Sequence, residues 1–245
     1  MNRLKGREII IKNNYDKDKI TGEMVSSLNS NEGFNTISHL VASLIAVAGL
    51  VLLVVFSALQ GKTIHVVSFS LYGASVFISM SLSSLLHFFL WKKKYYKVFG
   101  ILDHSAIYIL IAGTYTPFCL VVVRGPLGWS IFGVIWGLAL INIVIKAIFF
   151  SKIPKWFSIA GYLVMGWISV SLIFNIYGKL GFVSILFMLL GGLMYSIGAF
   201  IFLNQKPNPF PGKFANHEIW HLMVLLGNVF FLLIMFLFVL PYNIK

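Results

Sequence analysis

The sequence predicts an all-α integral membrane protein: a seven-transmembrane helix bundle with the N-terminus cytoplasmic and the C-terminus outside. Composition is the first evidence, since 59% of the 245 residues are hydrophobic and 11% are charged, whereas a soluble domain carries about 25% charged residues. The second is a series of seven apolar segments, each with the roughly 20 residues that span a bilayer core. The third is the alternation of basic residues between the connections.

Residues 1–30 are polar and charged, and they predict a disordered cytoplasmic tail before a membrane domain over residues 31–245. The tail lacks the apolar run and small-residue site of a cleavable signal peptide, so we expect the first helix to direct insertion. The apolar segments follow with short connections, as in antiparallel bundles. They cover residues 37–58, 65–90, 102–123, 127–149, 157–177, 181–203 and 216–240.

The basic residues predict the orientation. Of the 19 lysine and arginine residues, fifteen fall in the tail and around the second, fourth and sixth connections. Because basic residues accumulate on the cytoplasmic side, this side is inside. The other four lie on the opposite side: Lys62, Arg124, Lys179 and Lys245.

The net charge of +12 does not indicate a nucleic-acid-binding protein, because the basic residues lie in short runs between apolar segments. We therefore expect membrane lipids as partners, and no feature points to a protein partner. Cys119 is the one cysteine of the sequence, which excludes an intrachain disulfide and a cysteine-based metal site.

Two acidic residues lie at the edges of the apolar segments, Asp103 and Glu218, while the other five lie in positions 1–32. A carboxylate at such a depth costs several kcal/mol unless it has a partner, so both residues are functional candidates. Glu218 belongs to the motif His217-Glu218-Ile219-Trp220-His221 at the start of the last helix. Histidines four residues apart share one helix face, and this H-E-x-x-H pattern is typical of zinc hydrolases.

The predicted topology brings further polar residues to the same depth. His87, near the inner end of the second helix, would complete a three-histidine zinc site with His217 and His221. Three ligands leave a fourth position for water, as in catalytic zinc sites. Ser83 lies one turn before His87, and Asp103 opens the third helix from the inside, so both are candidate catalytic residues.

Secondary candidates surround this site. Glu218 lies about 100° around the helix from His217, so it either faces the metal as a base or pairs with a lysine of the cytoplasmic surface. Glu32, Asn35 and His39 lead into the first helix from the same side, and helix capping is the alternative role for them. An intramembrane zinc protease is disfavoured, because no later helix supplies the further acidic ligand such enzymes use.

These residues resemble the hemolysin III family, within the progestin and adipoQ receptor superfamily. The resemblance covers about residues 31–240 and is closest to the bacterial branch. It rests on Glu32-x-x-Asn35-x-x-x-His39, Ser83-x-x-x-His87, Asp103-His104 with Ile111-Ala112-Gly113-Thr114-Tyr115-Thr116-Pro117 after it, and His217-x-x-x-His221.

The resemblance implies a seven-helix bundle in the bacterial inner or plasma membrane, with zinc near the cytoplasmic face. It implies His87, His217 and His221 as ligands, with Asp103 and Ser83 beside the zinc-bound water. The receptor branch is linked to lipid amide hydrolysis of the ceramidase type, and bacterial members to membrane homeostasis. Two alternatives stay open: a non-enzymatic membrane protein with structural zinc, and a cytolysin, as the family name implies.

Overall fold

The structure, a computed structural model, describes residues 30–90 and 93–244, and the side chains of residues 93 and 94 are not described. The predicted tail, apart from Ser30, lies outside these residues. In the described part of the chain, seven helices are long and apolar enough to cross a membrane, which confirms the predicted fold class. They are α1 (Glu32–Leu59), α2 (Thr63–Phe89), α3 (Tyr95–Val123), α4 (Gly125–Phe149), α5 (Lys155–Leu180), α6 (Phe182–Asn204) and α7 (Asn216–Val239).

Helix α3 is the centre of the bundle. Of its most apolar stretch 83% is buried, against 17% for α4 and 28% for α1. Large apolar side chains on the outer helices are exposed instead, as lipid-facing residues are, and Leu140 and Phe200 are examples. Sequential helices pack side by side, and α7 closes the bundle against α1.

Close helix contact in the core depends on Gly113 of α3. A Cβ atom at this position would lie 2.0 Å from the Ser75 hydroxyl oxygen of α2, so the two backbones approach more closely than any larger residue allows. Pro117 ends the regular part of α3, and a π-helix over Phe118–Val123 follows. Proline lacks the N–H of a regular helical hydrogen bond, which explains the change of helix type.

Two helix starts differ from the sequence prediction by five residues or more. Helix α1 begins at Glu32 instead of residue 37, because Asn31 caps it by accepting a hydrogen bond from the Phe34 N–H at 3.1 Å. Helix α3 is already helical at Tyr95 instead of residue 102. The lysines near Tyr96 suggested a loop, yet the Tyr96 ring is buried against Leu86 and Leu90 at the end of α2. Hydropathy alone cannot detect these polar first turns.

Candidate metal centre

Two helix ends supply the histidines at one end of the bundle, the end predicted to face the cytoplasm. His87 lies in the last turn of α2, and His217 and His221 lie one turn apart at the start of α7. Helix α7 can begin here because the Ala215 N–H donates to a Glu218 carboxylate oxygen at 2.7 Å, which satisfies one of the free donors of the first turn.

The three imidazoles form a compact cluster. One ring nitrogen from each of His87, His217 and His221 lies within 4.8 Å of the others. His87 and His221 are buried, and their ring centroids lie 4.7 Å apart. Among the described residues, this group of three could hold a metal ion.

One nitrogen–nitrogen distance in the cluster equals that of a tetrahedral metal site. Nε2 of His87 and Nε2 of His217 lie 3.4 Å apart. In a tetrahedral site with metal–nitrogen bonds of about 2.0–2.1 Å, two ligand nitrogens are separated by about 3.3–3.4 Å. Zinc with histidine ligands adopts this geometry, so the donor set is compatible with zinc.

A second layer of contacts orients the rings. Nδ1 of His87 lies 2.6 Å from a carboxylate oxygen of Glu32. When the Nδ1–H of His87 donates a hydrogen bond to this carboxylate, Nε2 keeps a free lone pair that can bind a metal. This is the arrangement of carboxylate–histidine–metal triads. The secondary candidate Glu32 therefore contacts a candidate ligand and does not itself join the cluster of three.

His39 of α1 has the same relation to His221. Nδ1 of His221 forms a hydrogen bond with Nε2 of His39. If His221 binds the metal through Nε2, its Nδ1 carries the hydrogen and donates a hydrogen bond to Nε2 of His39. This assigns the tautomers of both rings. Glu32 and His39 thus connect α1 to ligands on α2 and α7.

Ser83 and Asp103 form a pair beside the cluster. The Ser83 hydroxyl, one turn before His87, lies close to the Asp103 carboxylate. The same carboxylate interacts electrostatically with His87, and both side chains line the cavity that the histidines face. Helix α3 thereby places a carboxylate next to the cluster without making it one of the three candidate ligands.

Glu218 is fully buried, and both of its carboxylate oxygens accept hydrogen bonds from backbone N–H groups or from an amide side chain. One carboxylate oxygen accepts from the Ala215 N–H, and the other accepts from the Asn31 N–H and, at 3.4 Å, from the Asn35 amide. These contacts connect the first turns of α1 and α7. The sequence left two roles open for Glu218, a base at the metal or an ion pair at the surface. The structure favours neither of them, because Glu218 and Asn35 lie in a helix-capping network.

We expect Glu218→Ala to destabilise the protein by about 3 kcal/mol, because it removes a buried charged acceptor and leaves several N–H donors unpaired. Glu218→Gln keeps one carbonyl acceptor and should lose less. Thermal unfolding in neutral detergent measures both variants, and metal content per folded molecule should not change. A Glu218→Ala variant with wild-type stability and no turnover would instead make Glu218 a base.

Two charged residues of this region were not expected from the sequence. Lys146 of α4 counted as a cytoplasmic connection residue, yet its side chain is only 6% exposed and lines the same cavity. The position of this lysine within the apolar run Ile143–Phe149 could have indicated a buried charge. The sequence of the run, however, does not determine the direction of the side chain. Lys155 of α5 also lines the cavity.

The cavity has a volume of about 750 Å³ and extends from the histidine cluster into the bundle. Its polar end carries the histidines and Asp103, and apolar side chains continue it between α3, α5 and α6. Ile107, Leu110 and Met188 are examples of this apolar lining. The arrangement is a polar site that could hold a metal ion and that opens into a space suited to an apolar chain.

Comparison with known proteins gives the family. The family model described as "Haemolysin-III related" matches residues 28–232. "Hemolysin-3" of Bacillus cereus is 40% identical over 207 residues, which are 84% of this chain and 91% of that protein. "Hemolysin-3 homolog" of Bacillus subtilis (strain 168) is also 40% identical, over 86% of this chain and 93% of that protein.

A human protein is similar at lower identity. "Monocyte to macrophage differentiation factor" of Homo sapiens is 27% identical over 158 residues, which are 63% of each chain. The matched region of the bacterial relatives includes nearly their whole length, and the family model covers most of the seven helices. This chain is a multi-pass membrane protein that belongs to the haemolysin-III related family.

Proposed function

We propose that this protein is a zinc-dependent membrane hydrolase that cleaves an amide or ester bond of a lipid. One observation supports the proposal. The imidazoles of the three candidate ligands lie together with Ser83 and Asp103 at the polar end of a cavity, and the rest of this cavity is lined by apolar side chains. Hydrolysis needs a polarised carbonyl, an activated water and a proton acceptor, whereas a lipid needs an apolar space for its chain.

Zinc bound by His87, His217 and His221 would polarise the substrate carbonyl and lower the pKa of water toward ~7. Asp103 then accepts the proton of the attacking water on a carboxylate oxygen. The Ser83 hydroxyl beside this carboxylate would donate a hydrogen bond to it and hold it in position. Glu32 and His39 keep two of the imidazoles in the orientation that a metal requires.

A second candidate is a membrane-homeostasis protein in which the metal is structural. The cluster and its contacts to Glu32 and His39 connect α1, α2 and α7, as a structural metal would. The names of the bacterial relatives suggest a third candidate function, cytolysis. Seven permanent apolar spans argue against a soluble pore former, so lysis of liposomes by externally added protein would be needed to support it.

Turnover of defined lipids by the purified, zinc-loaded chain tests the hydrolase. We expect release of a fatty acid from at least one class among N-acyl lipids, lysolipids and phospholipids, reconstituted in lipid nanodiscs and measured by mass spectrometry. Boiled protein and His221→Ala are the controls. Full zinc occupancy without turnover of any of these classes would contradict the proposal and favour the structural role.

A further inference from the structure

Lys146 has an unusual position for a lysine at a membrane helix end. Such side chains normally extend to the water interface, since burial of an ammonium group in a low-dielectric environment is costly. Lys146 is instead 6% exposed, with Nζ 3.4 Å from the Ser158 hydroxyl and 4.9 Å from the centre of the Phe150 ring. Its charge is therefore directed into the bundle and onto the wall of the cavity.

Lys155 adds a second cation to the same wall. Its Nζ lies 5.7 Å from the centre of the Phe202 ring, and it interacts electrostatically with His104 and His217. Among the described residues that line the cavity, Asp103 is the one acidic side chain. Two lysines and one carboxylate thus line the cavity, and a divalent ion at the histidine cluster would add further positive charge.

The position of this positive charge relates it to the histidine cluster. Asp103 lies within electrostatic range of both His87 and Lys146, and all three side chains line the same cavity. An anion bound by Lys146 would therefore lie near the candidate metal site, and its chain would extend along Leu110 and Met188. Coulomb attraction in such a protected site is much stronger than at a solvated surface.

We propose that Lys146 and Lys155 form a subsite for the anionic head group, a phosphate or a carboxylate, of a single amphiphile in the cavity. This names the substrate class of the hydrolase proposed above, an acidic lipid whose scissile bond lies close to its head group. The assignment to a substrate rests on that proposed function, whereas the binding of an anionic amphiphile does not.

Equilibrium binding of matched C12 amphiphiles to the zinc-loaded full-length protein tests the subsite. The probes are dodecyl phosphate, dodecanoate and dodecyltrimethylammonium, each titrated calorimetrically in neutral detergent. We expect the two anions to bind at least about tenfold more tightly than the cation, as for a charge-assisted contact. The ratio between dodecyl phosphate and dodecanoate identifies the preferred head group. Equal binding of all three probes would overturn the proposal.

Substitutions locate the anion. Lys146→Met and Lys155→Met remove one charge at similar side-chain length, and each should weaken dodecyl phosphate binding by about tenfold. Lys146→Arg keeps the cation and should retain binding, which also controls for folding. Lys152→Met is the matched control, because Lys152 is exposed in the same connection. Wild-type affinity in Lys146→Met, with zinc still bound, would place the anion elsewhere and overturn the proposal.

Parallel turnover measurements separate this inference from the hydrolase. A chain that cleaves no lipid but loses dodecyl phosphate binding in Lys146→Met retains the subsite and loses the proposed reaction. A chain that cleaves a neutral lipid with unchanged kcat/KM in Lys146→Met, and that binds dodecyl phosphate equally well in the wild type and in this variant, retains the reaction and loses the subsite.

Discussion

His217→Ala should purify as a folded protein without stoichiometric metal, and its lipid turnover should fall to background. The cluster has three candidate ligands, and Nε2 of His217 lies 3.4 Å from Nε2 of His87. Two imidazoles alone bind zinc weakly, so the loss of affinity should exceed the roughly 10–100-fold that removal of an outer-layer partner costs. Elemental analysis of detergent-purified protein measures the metal directly.

His104→Ala is the matched control for this experiment. His104 lines the same cavity, but it lies outside the group of three, and its ring is near Phe150. We expect its metal content to equal that of the wild type. Should His217→Ala retain one metal per chain while His104→Ala loses it, the metal site would lie elsewhere in the cavity.

The membrane spans could be predicted because their cause is local. A run of about 20 apolar residues satisfies the length of the bilayer core whatever the rest of the chain does. The orientation stays a prediction, since the structure contains no membrane. The helix starts at Glu32 and Tyr95 could not be predicted in the same way, because a capping residue and a buried aromatic ring stabilise these polar turns.

The meeting of His87 with the pair His217 and His221 also follows from sequence, because consecutive antiparallel spans return to the same depth. Rotation of a helix about its axis does not follow. The H-E-x-x-H motif left two orientations for Glu218, and the structure places its carboxylate on the helix caps. Lys146 likewise counted as a cytoplasmic charge, while its side chain faces the cavity. Tertiary packing decides such rotations.

Asp103→Asn should separate catalysis from a structural metal. The amide has nearly the shape of the carboxylate and cannot accept a proton at neutral pH, so turnover should fall by about 10²–10⁴-fold, the usual contribution of general base catalysis. Metal content and thermal stability should stay near those of the wild type, because Asp103 is not among the three candidate ligands. Asp103→Glu keeps a carboxylate and should recover part of the activity.

The same variant gives a second, independent result. Asp103 interacts electrostatically with Lys146, so loss of its negative charge should leave dodecyl phosphate binding equal to or tighter than in the wild type. A folded Asp103→Asn protein with its metal, tight anion binding and no turnover would assign the proton transfer to this carboxylate. If Asp103→Asn instead turned lipid over at the wild-type rate, water activation would not involve Asp103. Absence of turnover in both proteins, with metal bound and stability dependent on it, would favour the structural role.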